Sequence, residues 1–413
     1  MFCSLGSVFC MLYTVIMFDK IENKKRKETY PFLEWMDRFV LTEENLRQAR
    51  DVMYELEAQV SELSQVHRTP QSANHHAEGP MMTNHIENMI AGIFAICEGK
   101  VSLSQIEEFA REKHFKNEIA ELEDVICENA ATLKAFTMLH DIAKYDTISF
   151  SSPAGSKGAA EGFSKDSRLD KSALIDRYLK LLNAFKVDLP DLDSRQVAID
   201  FYKEFEIKVH YKGHAKVAVS DKYEEVRNTV EDLCRLTARD REILALTIKY
   251  HIEVMDFIGD KPDGARYSYL QRVGQRSGID GNDLLDVQTA ALLLDALIGS
   301  IGYQDGALVP DIELVLNMLR SEELAVVERR HARVKKIENK KQSEFKKMLE
   351  SVGLGGGDVF KLLDIPFGPG RAGIIDKVQN AVKTGDLSEL GEYKDKLYSK
   401  VQQAHLLYAT SME

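Results

Sequence analysis

Apolar residues recur at three- and four-residue steps along most of the chain, and that period belongs to helix rather than strand. Residues 31–66, PFLEWMDRFVLTEENLRQARDVMYELEAQVSELSQV, show it first and predict an amphipathic helix or helix pair. The polar stretch HRTPQSANHHAEGP interrupts, and a periodic run resumes from His85. Further helical patterns cover 171–187, 194–208, 221–236 and 238–258, followed by an apolar helix at 284–298. A long pattern at 311–350 and two shorter runs complete the tail. Between them, residues 151–170 form a Gly/Ser-rich loop whose composition predicts mobility, and GDKPDGARYSYLQRVGQRSGIDGND reads as a second loop. There is no convincing alternating strand pattern and no internal repeat. The expected fold class is all-α.

At 413 residues the chain can build two or three domains. We expect an apolar segment at 1–20, an amphipathic helical segment at 21–80, a central domain at 81–320 and a helical C-terminal domain at 321–413. The run MFCSLGSVFCMLYTVIMF is short for a membrane span, which needs roughly 20 apolar residues. It also lacks the basic leader and cleavage site of a signal peptide. Three readings stand: translation begins at Met17, residues 1–18 are a membrane anchor, or they are a buried helix.

A formal charge of −12 argues against wholesale nucleic-acid binding. Residues 329–347, RRHARVKKIENKKQSEFKK, run the other way, with nine basic residues against two acidic ones. Arg329, Arg330, Arg333, Lys335 and Lys336 are therefore candidate RNA contacts, although such runs are commonly solvated helix faces and few aromatics are interleaved here. The five cysteines show no CxxC pair or regular spacing, which points to a reducing, cytoplasmic setting without a disulfide framework.

Candidate chemistry lies where polar residues interrupt apolar helices. MLHDIAK places His140 and Asp141 between Leu139 and Ile142, and ALLLDALIGS sets Asp295 among leucines and alanines. A carboxylate in such surroundings is costly unless it is paired or bound to a cation. His85 begins NHIENMIAGIFAI, His214 follows a glycine in KGHAKVAV, and His251 sits inside the 238–258 pattern. Taken singly, each histidine is more simply a hydrogen-bonded core or surface residue. As a set, imidazole and carboxylate ligands suit Mn, Fe, Co, Ni or Zn better than Mg or Ca, in one or two ions.

The order His85, His140-Asp141, Asp295 on apolar helices resembles the HD superfamily of metal-dependent phosphohydrolases, and MLHDIAK is similar to its best-known stretch. The resemblance covers residues 81–300 and implies a helical HD-domain bundle, here with extra N-terminal helices and a C-terminal tail. It implies that His85, His140, Asp141 and Asp295 hold a first metal, and that His214 and His251 hold a second, bridged by Asp141. The implied reaction is hydrolysis of a phosphomonoester or phosphodiester of nucleotide type, with Asp141 orienting water and Lys144 contacting phosphate. The guanosine-tetraphosphate hydrolases of the superfamily carry an acidic pair where this chain has Lys144 and Tyr145, which counts against that substrate. Arg266, Arg272 and Arg276, in the loop before Asp295, are candidates for clamping phosphate. The stretch GGGDVFKLLDIPFGPGRAGIIDKVQNAVKTGDLSEL is similar to the tail of bacterial tRNA nucleotidyltransferases, whose nucleotide-adding head has no counterpart here. That likeness supplies the alternative reading, an RNA- or nucleotide-binding helical protein.

Overall fold

The computed structural model describes residues 41–105, 113–164, 169–187, 194–259, 261–299, 302–304, 307–309, 312–365 and 371–412. The expected segment 1–20, the start of the 21–80 segment and part of IPFGPGRAG lie outside them.

Among the described residues the chain is all-α apart from two short two-stranded antiparallel ladders. Its first unit ends at Ala325. Helix α1 (Glu43–Gln59) is capped by the Thr42 side chain and followed by a 3-10 segment. Helix α2 (Met82–Cys97) is the central rod, with Ile86, Met89, Ile90 and Ile93 fully or almost fully buried. Helices α3 (Lys116–Glu128) and α4 (Ala130–Leu139) pack against it. After α4 the chain makes a tight turn through His140 and Asp141, then enters strand β1 (Ile148–Ser151).

Helices α5 (Lys171–Val187) and α6 (Ser194–Phe205) follow, and strand β2 (Lys208–Tyr211) pairs antiparallel with β1, Ile148 opposite Tyr211. Phe150, Phe163, Tyr178 and Phe201 form a separate apolar cluster within this excursion. The ladder therefore pinches the whole 148–211 insertion at its base and returns the chain beside its starting point. Gly213, at φ +80°, then turns the backbone into the short helix α7 (His214–Ala218). A side chain is strained in that left-handed conformation.

Helix α8 (Glu224–Leu233) precedes α9 (Ala238–Ile258), whose Thr237–Asp240 capping box satisfies its first turn. Helix α10 (Gly264–Arg276) and α11 (Gly281–Leu293) complete the bundle. The last turn of α11 widens into a π-helical segment, Leu294–Gly299, that carries Asp295. Such insertions re-aim a side chain and recur at functional sites. Strands β3 (Gly302–Gln304) and β4 (Ala307–Val309) pair antiparallel as the second ladder.

Helix α12 (Ile312–Ser351) passes from the first unit into the second, Val326–Glu413. The second unit continues with α13 (Gly356–Leu363), α14 (Arg371–Thr384) and α15 (Lys394–Met412). It has its own core, including Val359, Val378, Val382, Leu397 and Val401.

Three expectations are corrected. The strands escape sequence reading because runs of three or four residues are too short to establish an alternation. The 151–170 loop is anchored over 151–164 rather than loose: Ser156 caps a helical turn at Lys157–Ala160, and Phe163 is fully buried. Cys97 and Cys127 form a disulfide between α2 and α3. Their spacing of 30 residues gave no sign of a contact that only packing creates. Among the described residues, no helix is long and apolar enough to cross a membrane.

Candidate metal centre

The structure brings His85, His140, Asp141, His214, His251 and Asp295 together in two adjoining groups, all buried. In the first, His85 Nε2 lies 3.4 Å from His140 Nε2 and 3.3 Å from Asp295 Oδ1. In the second, His214 Nε2 lies 3.1 Å from both His251 Nε2 and Asp141 Oδ1. The other oxygen of Asp141, Oδ2, is 3.2 Å from His140 Nε2 and 3.8 Å from His85 Nε2. One carboxylate thus faces both groups.

Backbone carbonyls fix the imidazoles. His140 Nδ1 faces the carbonyls of Phe136 and Thr137 at 3.1 Å, His214 Nδ1 that of Tyr211 at 2.8 Å, and His251 Nδ1 that of Ile248 at 2.6 Å. A carbonyl only accepts, so each Nδ1 carries a proton, and each ring in its neutral form turns a lone pair on Nε2 inward. His214 Nε2, His251 Nε2 and Asp141 Oδ1 are then three acceptors within hydrogen-bonding distance and no donor between them. A proton or a cation must sit there. A metal–donor bond of about 2.1 Å puts neighbouring ligands about 3 Å apart, so the spacing suits a small divalent ion. Second-shell carbonyls on Nδ1 are the usual orienting device at metal-binding histidines.

Electrostatics support the same arrangement. When protons rather than a cation fill the site, burial still works to raise the Asp141 carboxyl, but positive charge on His140 and Lys144 and the close approach of His140 and His214 hold it well below its usual range. Asp295 is likewise lowered, with burial overruled by His85 and His140. His85 is raised: its burial penalty is outweighed by Asp295 and Glu78. His251 is pushed down to about 3, first by burial and then by the charges of His140 and His214.

These shifts carry a sign for stability. His251 is neutral in the fold and titrates near 6.5 when unfolded, so its contribution is lost as pH falls from about 6.5 towards about 3. His76, lowered chiefly by burial, acts in the same direction. The raised His85 contributes fully below its unfolded pKa and is lost only at higher pH. Metal-stripped protein should therefore lose stability between pH 6.5 and pH 4, by up to about 1.4 kcal/mol per pH unit for each depressed histidine. Urea unfolding at several pH values checks this; a flat profile would contradict it.

Lys144 Nζ is 2.5 Å from Asp141 Oδ2, without hydrogen-bond alignment, so that buried oxygen has no hydrogen-bond partner. Lys144 is itself buried, and its ammonium also lies 4.8 Å from the Tyr211 ring centre. Gly299 and Gly92 allow the π-helical segment to press against α2. A Cβ at Gly299 would stand 2.5 Å from Met89 and 2.8 Å from the His85 ring, and one at Gly92 would stand 2.7 Å from Ile298.

The loop reading of the three arginines is corrected. Arg266, Arg272 and Arg276 belong to helix α10, which Asp263 caps by accepting from the Arg266 backbone amide at 2.9 Å. The Pro-Asp-Gly start hid a helix N-terminus inside what read as a loop. None of these arginines lines the cavity over Asp141 and Asp295. Arg272 and Arg276 are exposed, and Arg266 is paired with Glu253 at 2.9 Å. In the second unit, Arg329, Arg330, Arg333, Lys335 and Lys336 are exposed along α12.

Two neighbours of the site were missed. Glu78 is buried with Oε1 3.7 Å from His85 Nδ1 and 2.9 Å from His76 Nδ1. Both sit in the polar stretch before α2, where nothing in the pattern marked them for burial. The chain matches no protein-family model, no curated protein and no solved structure. Function is read from the geometry of the site.

Proposed function

We propose that the chain is a divalent-metal-dependent phosphohydrolase of HD type acting on a nucleotide-like phosphate ester. The observation that carries this reading is Asp141, whose two oxygens face two separate sets of inward-turned imidazole lone pairs. The donor set of nitrogen and carboxylate oxygen fits Mn, Fe, Co, Ni or Zn. Residues His85, His140 and Asp295 would hold one ion and His214 and His251 another, with Asp141 shared. Bound there, such an ion supplies Lewis acidity and a water of lowered pKa.

The remaining roles fall to the chain. Asp141 accepts a hydrogen bond from the attacking water and orients it. Lys144, lining the cavity beside Asp141, offers an ammonium to the phosphate. Burial of the cluster strengthens each of these charge interactions.

Elemental analysis of protein purified without chelator tests the reading, followed by assays on phosphate esters before and after stripping. One or two equivalents of transition metal, with hydrolysis lost on stripping and restored by Mn, Fe or Zn, is the expected result. Protein that stays empty when these ions are offered would make the cluster a structural network. The exposed basic residues of α12 favour a separate reading for the second unit, RNA binding. There, affinity for RNA is expected to fall steeply with added salt, and salt-insensitive binding would end the idea.

A further inference from the structure

The cavity over Asp141 and Asp295 has a volume of about 1320 Å³. Common small-ligand pockets hold roughly 300–1,000 Å³, so a phosphate group alone leaves most of this space unused. One part of the lining is polar, with the ammonium groups of Lys144 and Lys212 beside His75 and His210. Another comes from the end of α9 and includes Ile252, Met255 and Phe257.

Phe257 is the anomaly. It lines this cavity and is 52 % exposed. An open aromatic ring inside a catalytic-type cavity gains by being covered, and aromatic rings are preferred seats for planar ligands. The Arg266 guanidinium lies over it, 4.2 Å from the ring centre, and 5.3 Å from the Tyr269 ring centre. Glu253 holds that guanidinium in place at 2.9 Å. The clamp expected of Arg266 is thus spent on an internal carboxylate, and its plane instead backs an aromatic surface. Glu253 and Asp256 also line the cavity on the same helix and present acceptors suited to exocyclic amino groups. Phe257 follows His251 by six residues of α9, about 9 Å along the helix axis and about 120° round it, and both side chains line the cavity.

We infer that Phe257, backed by Arg266, is the stacking platform for a nucleobase whose phosphate ester sits at the Asp141 centre. The phosphate end of this inference rests on the phosphohydrolase reading; the base end does not. Stacking on aromatic and guanidinium planes tolerates any base, so the platform recognises the class rather than the letter.

The test is base-dependent binding, read apart from turnover. With Mn²⁺ present, calorimetry on the wild type should show adenosine 5′-monophosphate bound roughly five- to 150-fold more tightly than ribose 5-phosphate, which corresponds to stacking worth about 1–3 kcal/mol. Phe257→Ala should collapse that preference towards unity, and Phe257→Tyr should keep it. Phe257→Trp should gain a fluorescence signal that the nucleotide quenches and ribose 5-phosphate does not. The side chain is exposed, so folding of these variants is not at stake. Equal affinities in the wild type, or a preference that survives Phe257→Ala, would overturn the inference. Base-dependent binding without hydrolysis of either ester would sink the phosphohydrolase reading and leave the platform standing. Hydrolysis of both esters with equal KM would do the reverse. A short oligouridylate compared with uridine 5′-monophosphate separates the two sources of a base: tighter binding of the strand identifies an RNA end, equal or weaker binding a free nucleotide.

Discussion

On the phosphohydrolase reading, replacing Asp141 by alanine is expected to lower hydrolysis of any accepted phosphate ester by three orders of magnitude or more, about 4 kcal/mol of transition-state stabilisation. The same change should empty both metal positions. No other residue of the cluster faces both groups: Asp141 Oδ1 is 3.1 Å from His214 Nε2, and Oδ2 is 3.2 Å from His140 Nε2. On the two-ion reading, losing it would remove the shared anionic ligand and leave four imidazoles with Asp295 as the sole carboxylate. Asp141→Asn is the sharper variant, because it keeps the shape and removes only the charge. Metal analysis of the two variants beside the wild type checks the claim. A variant that retains both ions would show that the carboxylate is not a ligand.

Stability should move as well. In metal-stripped protein, Asp141 is the counter-charge of the buried Lys144, and an ion pair broken on one side costs about 3–5 kcal/mol. Part of that cost is returned, because Asp141 and Asp295 repel one another in the absence of a cation. A double variant, Asp141→Ala with Lys144→Met, should therefore recover stability while remaining inactive. Recovery without activity separates the chemical role of the carboxylate from its structural one.

The helices were legible because their apolar faces had to be. The patterns at 171–187 and 238–258 match α5 and α9, since a buried stripe repeats every three or four residues whatever it packs against. His140, Asp141 and Asp295 stood out for a related reason: each is a polar group where the period demands an apolar one. What stayed hidden depends on contacts made between distant segments. Glu78 is an ordinary loop glutamate until the chain folds it beneath His85. Arg266 is an ordinary arginine until Asp263 starts a helix that lays it across Phe257. The long gap before His214 also carried no visible explanation. The β1–β2 ladder that closes it contains only four residue pairs, too few to leave a periodic trace.

Phe136→Ala is expected to be the most damaging substitution away from the ligands. The ring is fully buried in the core of the first unit, and cavities of this size typically cost about 3–5 kcal/mol. Against a total stability of about 5–15 kcal/mol, that is a large share. The ring also stacks on His140, with centres 4.6 Å apart and planes 18° apart, and meets His251 edge-on at 6.1 Å. One side chain therefore supports a histidine of each group. Phe136→Leu fills much of the volume but offers no flat surface to His140, so it should cost less stability while still weakening metal binding. Denaturant midpoints and metal affinity, measured on both variants, distinguish the two contributions. If metal affinity falls only in step with stability, Phe136 is core packing alone. If the leucine variant stays nearly as stable as the wild type and yet binds metal poorly, the ring is what holds His140 at the angle the centre requires.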